Sequence, residues 1–152
     1  MKKIDCFDRE YAFLSNFYEA PVEKDGIVYP TNEHFFQAMK TLDVEKRKEI
    51  AAADTPGQAK RMGRKVQLRP DWEQSKYKIM KEGLLLKFLT HKDLAKKLIE
   101  TEDAWLIEGN YWHDNTWGDC NCPQCLFIDG KNWLGTLLMD IRTRLKINEK
   151  IE

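Results

Sequence analysis

Residues 30–40 read PTNEHFFQAMK, and the fold is read outward from them. Pro30 closes the apolar run Ile27-Val28-Tyr29. Thr31 carries a side-chain oxygen able to cap a helix, and Glu33 falls in the first turn, where a negative charge suits the macrodipole. Phe35, Ala38, Met39 and Leu42 then recur at helical spacing on one side. Glu33, Gln37 and Lys40, spaced i, i+4, i+7, share another side. That polar side admits two readings. The plainer is a solvated face. The sharper turns Glu33 toward a cleft, with Lys40 tuning it or holding phosphate.

Working toward the N-terminus, Lys24-Asp25-Gly26 supplies turn chemistry between Val22 and Ile27, which predicts a β-hairpin over 21–30. Ile4 to Phe7 reads as a short strand, followed by the irregular aromatic segment FLSNFYEA. Toward the C-terminus, helices are expected over Val44–Ala53, from Thr55-Pro56 with proline in an allowed first-turn position, and from Pro70 to Thr90. The last of these has the stripe Tyr77, Met80, Leu84 and Phe88, aided by Leu85 and Leu89. A short helix over Lys92–Thr101 and a strand over Trp105–Glu108 follow. A final helix runs from Asn132 to Lys146 on Leu134, Leu137, Leu138, Ile141 and Leu145. Between them lies a long loop, 109–131. Loops beyond about 12–15 residues in a compact domain are usually functional or disordered, and its tryptophans argue for order. The pattern predicts a mainly α chain with a little β.

The 152 residues suffice for one domain with a core and are too few for two ordinary ones. Lysine plus arginine equals aspartate plus glutamate, 25 each, so a general nucleic-acid coat or a membrane-surface binder is disfavoured. No apolar run approaches a membrane span, and MKKIDCFDRE lacks the apolar core of a secretory signal. A cytoplasmic location follows as the expectation. In that reducing setting Cys6, Cys120, Cys122 and Cys125 are thiols or metal ligands rather than disulfides.

Three further segments carry chemistry. The loop HDNTWGDC, 113–120, holds Asp114 and Asp119 beside Trp117 and Gly118. Glycoside chemistry uses such a carboxylate pair, one group to protonate the leaving base or activate water and one to stabilise the oxocarbenium-like centre. The alternative is an Asx-rich turn bonding its own backbone. ARMGRKVQLRPDW brings Arg61, Arg64 and Arg69 near helix ends, where guanidinium groups hold phosphate, and Trp72, which either stacks on a base or packs in the core. Finally, CNCPQC offers Cys120, Cys122 and Cys125 as zinc ligands, with Cys6 or His113 as a fourth. It falls short of two separated CxxC pairs.

LSNFY (14–18), YPTNEHFFQAMK (29–40), AKRMGR (59–64), the Trp72 region, LLKF (85–88), WLIEGNYWHDNTWGD (105–119) and GKNWLGTLLMDIR (130–142) together resemble the NADAR (YbiA-like) family, in the family's order and over nearly the whole chain. The resemblance implies one NADAR domain over 1–152, a single-domain orthogonal helical bundle with small β elements, that hydrolyses C–N glycosidic bonds. Substrates implied are ribosylamine intermediates of riboflavin synthesis, or ADP-ribose attached to a nucleobase. The partner is then a phosphorylated ribosyl small molecule, with nucleic acid involved only when ADP-ribosylated, and with no cofactor. Catalytic importance carries onto Glu33 and, by position, touches Trp72, Asp114 and Asp119. Asn16, Phe17, Arg64 and Asn132 are implied pocket residues, beside Gln37, Lys40, Trp117 and Gly118 from the reading above. One departure stands out: CNCPQCLFID replaces a glycine-rich stretch after WGD. Two other classes compete, a catalytically silent ADP-ribose or nucleotide reader and a small zinc protein that meets a partner through its cysteine loop. The oligomeric state is not legible.

Overall fold

The computed structural model of the chain describes residues 2–151. In chain order they form β1 (Lys3–Ile4), a 3₁₀ turn (Arg9–Leu14), β2 (Glu19–Lys24), β3 (Ile27–Thr31), α1 (Asn32–Ala38), α2 (Val44–Ala51), α3 (Pro56–Gly63), α4 (Trp72–Thr90), α5 (Lys92–Glu100), β4 (Trp105–Leu106), β5 (Gly109–Asn110), β6 (Asp119–Cys120), a second 3₁₀ turn (Pro123–Cys125) and α6 (Trp133–Ile151). Helices dominate, with a few small strands, as the apolar periodicity predicts. The residues group into two compact units, one of 16–91 and one of residues up to 15 with those from 92 onward.

In the 16–91 unit, β2 and β3 make the expected hairpin. Asp25 and Gly26 turn it with φ of 53° and 80°, the left-handed pair that a two-residue turn between right-twisted strands requires. The hairpin and α4 pack against α1. Tyr29 meets Phe35 edge to face at 5.5 Å, and Ile50, Met80, Leu84 and Phe88 fill the rest of the interior. Thr31 caps α1 by accepting from the His34 backbone N–H at 3.1 Å. Its hydroxyl donates to His34 Nδ1 at 2.7 Å, so Nε2 carries the proton and donates to the Ala53 carbonyl at 3.0 Å.

Three expectations change here. All seven residues of α1 are buried, so the helix has no solvated face. Because α1 ends at Ala38, Leu42 falls off its apolar stripe and is exposed. The α4 stripe also differs: Tyr77 and Leu89 face solvent, and the buried set is Trp72, Ile79, Met80, Gly83, Leu84, Lys87 and Phe88.

In the other unit β1 and β4 pair in parallel and bury Ile4 beside Leu106. Helix α6 packs on α5 through Leu134, Leu137, Leu138 and Ile141, opposite Leu94 and Leu98. Buried Arg142 ties the end of α5 to this layer, donating to Thr101 Oγ1 and the Ala104 carbonyl, each at 2.9 Å. Strands β5 and β6 pair in parallel, matching Asn110 with Cys120, and so fold the long loop back on itself. Among the described residues no helix is long and apolar enough to cross a membrane.

Candidate active site

Glu33 is only 7% exposed. The cap at Thr31 sets the start of α1, and the Glu33 backbone N–H is taken by the Asn16 carbonyl at 3.0 Å, which anchors the LSNFY segment to the first turn. Gln37, one turn on, donates from Nε2 to Glu33 Oε1 at 3.3 Å. A carboxylate removed from water this far is costly unless polar groups and cations compensate, so its surroundings matter.

Lys40 is one such neighbour. Burial pulls its ammonium below the ordinary lysine value, the Glu33 carboxylate pushes it back up, and Arg64 and Lys60 pull it down again. Lys40 Nζ also lies 5.9 Å from the Trp72 ring centroid and 6.0 Å from that of Phe36, at the outer range of cation–π attraction. The two rings pack together at 5.1 Å, and Trp72 is buried. Arg69 fixes this corner. Its backbone N–H donates to the Lys40 carbonyl at 2.7 Å, and its guanidinium grips Asp71 at 2.7 and 3.2 Å, holding that carboxyl down at about 2. Arg69 therefore serves the α3–α4 connection rather than holding phosphate.

Two glycines let the neighbouring helices close on α1. A methyl at Gly63 would overlap the Gln37 side-chain oxygen, and one at Gly83 would overlap Asn32 Oδ1. Both oxygens are buried without a hydrogen-bond donor. The close approach of the glycine backbones offers weak Cα–H contacts in its place. Asn32 Nδ2 donates to Asn16 Oδ1 at 2.8 Å and points at Met80 Sδ at 3.4 Å, which fixes Asn16.

Within the 16–91 unit, then, Asn16, Glu33, Gln37, Lys40 and Trp72 fall into one connected set. Arg64 is exposed and reaches it through charge alone, and Phe17 is half exposed. A depression of about 360 Å³ elsewhere in this unit is lined by Thr41, Asp43, Lys46, Glu49, Ile50, Met62, Lys65, Val66 and Gln67, none of them a candidate.

The loop residues of the other unit have heavy structural duties. Asp114 Oδ1 accepts from the backbone N–H of Thr116 and Trp117 at 3.1 and 2.9 Å, an Asx turn. Asp119 Oδ1 accepts from Gly130 N–H at 3.0 Å. Trp117 packs edge to face on Trp133 at 5.5 Å. Gly118 is buried, and any side chain there would strike Glu108, so it is a packing glycine. The amide of Asn132 is committed at both ends, accepting from Glu108 N–H and donating to the Leu106 carbonyl, each at 2.9 Å. It secures the strand β4 connection.

Sequence reasoning passed over two buried residues. Asn32 adjoins Glu33 in the same motif. Lys87 is wholly buried beside the Tyr18 and Phe88 rings, and burial brings its ammonium down to about 7. Its signal was present: Met80, Gly83, Leu84 and Lys87 follow helical spacing.

The family model of the NADAR domain matches residues 5–146. The chain belongs to the NADAR family. N-glycosidase YbiA of Escherichia coli (strain K12) is 40% identical over 92% of this NADAR chain and 85% of its own length. An N-glycosidase of Nostoc punctiforme is 37% identical over 90% of this chain and 86% of its own. A riboflavin biosynthesis protein of Vibrio vulnificus is 33% identical over 91% of this chain, which corresponds to 37% of that longer protein. The NMR structure of E. coli YbiA matches with a TM-score of 0.83 at 40% identity, covering 100% of this chain and 90% of that one.

Proposed function

We propose that this chain hydrolyses the N-glycosidic bond of a ribosylated, nucleotide-like substrate, with Glu33 as the catalytic carboxylate. The NADAR relatives named N-glycosidases support the reaction class. The observation that carries the residue is the burial of Glu33 on a fully buried helix, within reach of the Lys40 charge. Membership over 5–146 supports reading both units as parts of one NADAR domain.

As the C–N bond breaks, its electron pair leaves with the base nitrogen and positive charge develops on the sugar carbon. A desolvated carboxylate stabilises that charge far better than water does, because it is already oriented and the local dielectric is low. Water then adds to the sugar carbon, and its proton passes to the carboxylate and from there to the leaving nitrogen, which restores the carboxylate. Fixed charge of this kind contributes several kcal/mol to barrier lowering. Lys40 and Arg64 offer positive charge to a substrate phosphate. Trp72, packed on Phe36, lies 5.9 Å from Lys40 Nζ and steadies its charge. Asp114 or Asp119 supplies the second carboxylate function, each with one oxygen already engaged by backbone. Asn16, Phe17 and Gln37 complete the substrate contacts, while Trp117, Gly118 and Asn132 shape the loop that carries the aspartates.

Two substrate classes are the candidates: a ribosylamine of the riboflavin route, supported by the Vibrio relative's name as a riboflavin biosynthesis protein, and an ADP-ribosylated nucleobase, which the family resemblance implies. Wild-type protein incubated with each should release free base from at least one, together with ribose 5-phosphate from the first or ADP-ribose from the second. Tight ADP-ribose binding by calorimetry with no product from any ribosylated substrate would replace this reading with a silent nucleotide reader.

A further inference from the structure

We propose that His113, Cys120, Cys122 and Cys125 bind one zinc ion in a closed, four-coordinate structural site. The four ligand atoms lie within 4.8 Å of one another. His113 Nδ1 is 3.3 Å from Cys122 Sγ, 3.4 Å from Cys125 Sγ and 3.9 Å from Cys120 Sγ. A tetrahedral centre with Zn–N of about 2.0–2.1 Å and Zn–S of about 2.3 Å has N···S edges of about 3.6 Å, in the middle of that range. Cys6, the other ligand considered from sequence, is exposed and stands outside the cluster.

The backbone is arranged for these ligands. Pairing of Asn110 with Cys120 across β5 and β6 brings the first sulfur to the histidine. The 3₁₀ turn at Pro123–Cys125 then returns the third. His113 adopts φ of 67°, a left-handed conformation that is uncommon for non-glycine residues. It directs both the His113 backbone N–H, 3.3 Å from Cys120 Sγ, and the imidazole toward the sulfurs. Cys122 N–H also points at Cys120 Sγ at 3.5 Å, and Asn115 Nδ2 at Cys125 Sγ at 3.4 Å. Such donors stabilise thiolates and orient metal ligands.

The segment also needs a staple. Tyr111, Trp112, Leu126, Phe127 and Ile128 are exposed, Phe127 at 95%, so little apolar burial holds this part of the loop. Metal ligation contributes folding free energy where a core cannot. Three thiolates with a neutral imidazole are the soft, tetrahedral donor set that selects zinc. Binding displaces the thiol protons into solvent and leaves the site with a net charge of −1. With four protein ligands no position remains for water, so the ion organises the loop carrying Asp114, Trp117 and Asp119 and takes no part in bond cleavage. The site stands independently of the proposed hydrolase activity.

The test is metal analysis of the full chain purified in reductant without chelator. Wild type and Cys6→Ser should each carry roughly one zinc per chain, whereas Cys122→Ser and His113→Ala should bind at least about tenfold more weakly. Cobalt(II) added to the wild-type apoprotein keeps the test decisive when a variant does not fold. It should produce thiolate-to-cobalt charge-transfer absorption and the intense d–d bands of a tetrahedral site, both abolished by one equivalent of zinc. A wild-type chain that neither carries zinc nor develops the charge-transfer band overturns the assignment. Full zinc affinity in Cys122→Ser or His113→Ala, or its loss in Cys6→Ser, overturns this ligand set.

Discussion

Lys87 has no exposed surface, and burial brings its ammonium down to about 7 from an ordinary 10.5. Between those two values the unfolded chain binds a proton that the folded chain does not, so this residue makes stability rise with pH from about 7 to about 10. Below that window the lysine is charged in both states and its burial penalty is complete. Lys87→Met keeps the volume and removes the charge. Chemical denaturation at several pH values should show the rise between pH 7 and 10 reduced in the variant. Equal slopes for the two proteins would mean that Lys87 is ordinary. The sequence carried this residue only as a helical-spacing position among apolar neighbours. Charge argued for the surface, and tertiary packing overruled it. For Glu33 and Gln37 burial removes the solvated-face reading, because i, i+4, i+7 spacing describes a shared face without saying what covers it.

Helix α1 is seven residues long and buried throughout, a length that is marginal in isolation and depends on its cap and its packing. Thr31 both caps the helix and fixes the tautomer of His34, which holds the Ala53 carbonyl at the end of α2. Thr31→Ala should therefore cost about 1–2 kcal/mol, the upper part of the range for a lost N-cap, while Thr31→Ser should restore most of it. Urea unfolding would measure both, and equal loss in the two variants would separate the effect from capping. This element was legible: Thr31, the first-turn Glu33 and the preceding proline define its start. Its end was not, since nothing local in AMKTL forbids another turn. The early stop at Ala38 is what leaves Leu42 exposed. The hairpin was legible for a similar reason, because Asp-Gly is the pair that tolerates two positive φ values.

At the scale of the molecule, the mainly helical class and the family were readable from motif order, and the structural match to YbiA agrees with both. The long loop was legible as ordered, and both its Asx-turn alternative and its cysteine–histidine ligand set were among its readings. Asp114 and Asn132 look like site chemistry in a linear string, yet each also holds backbone of the loop, and Gly118 is packed against Glu108, which spacing does not announce. His113 joined the cysteines through strand pairing and a left-handed φ, neither of which spacing announces. The account rests most heavily on Glu33. Release of free base by wild type and by Glu33→Gln, with binding of a non-hydrolysable substrate analogue measured alongside, tests it directly. Turnover should fall by at least about 100-fold, in line with removal of one preorganised charge, while analogue binding changes little. Glu33→Gln protein that is folded and releases base at the wild-type rate would contradict the account.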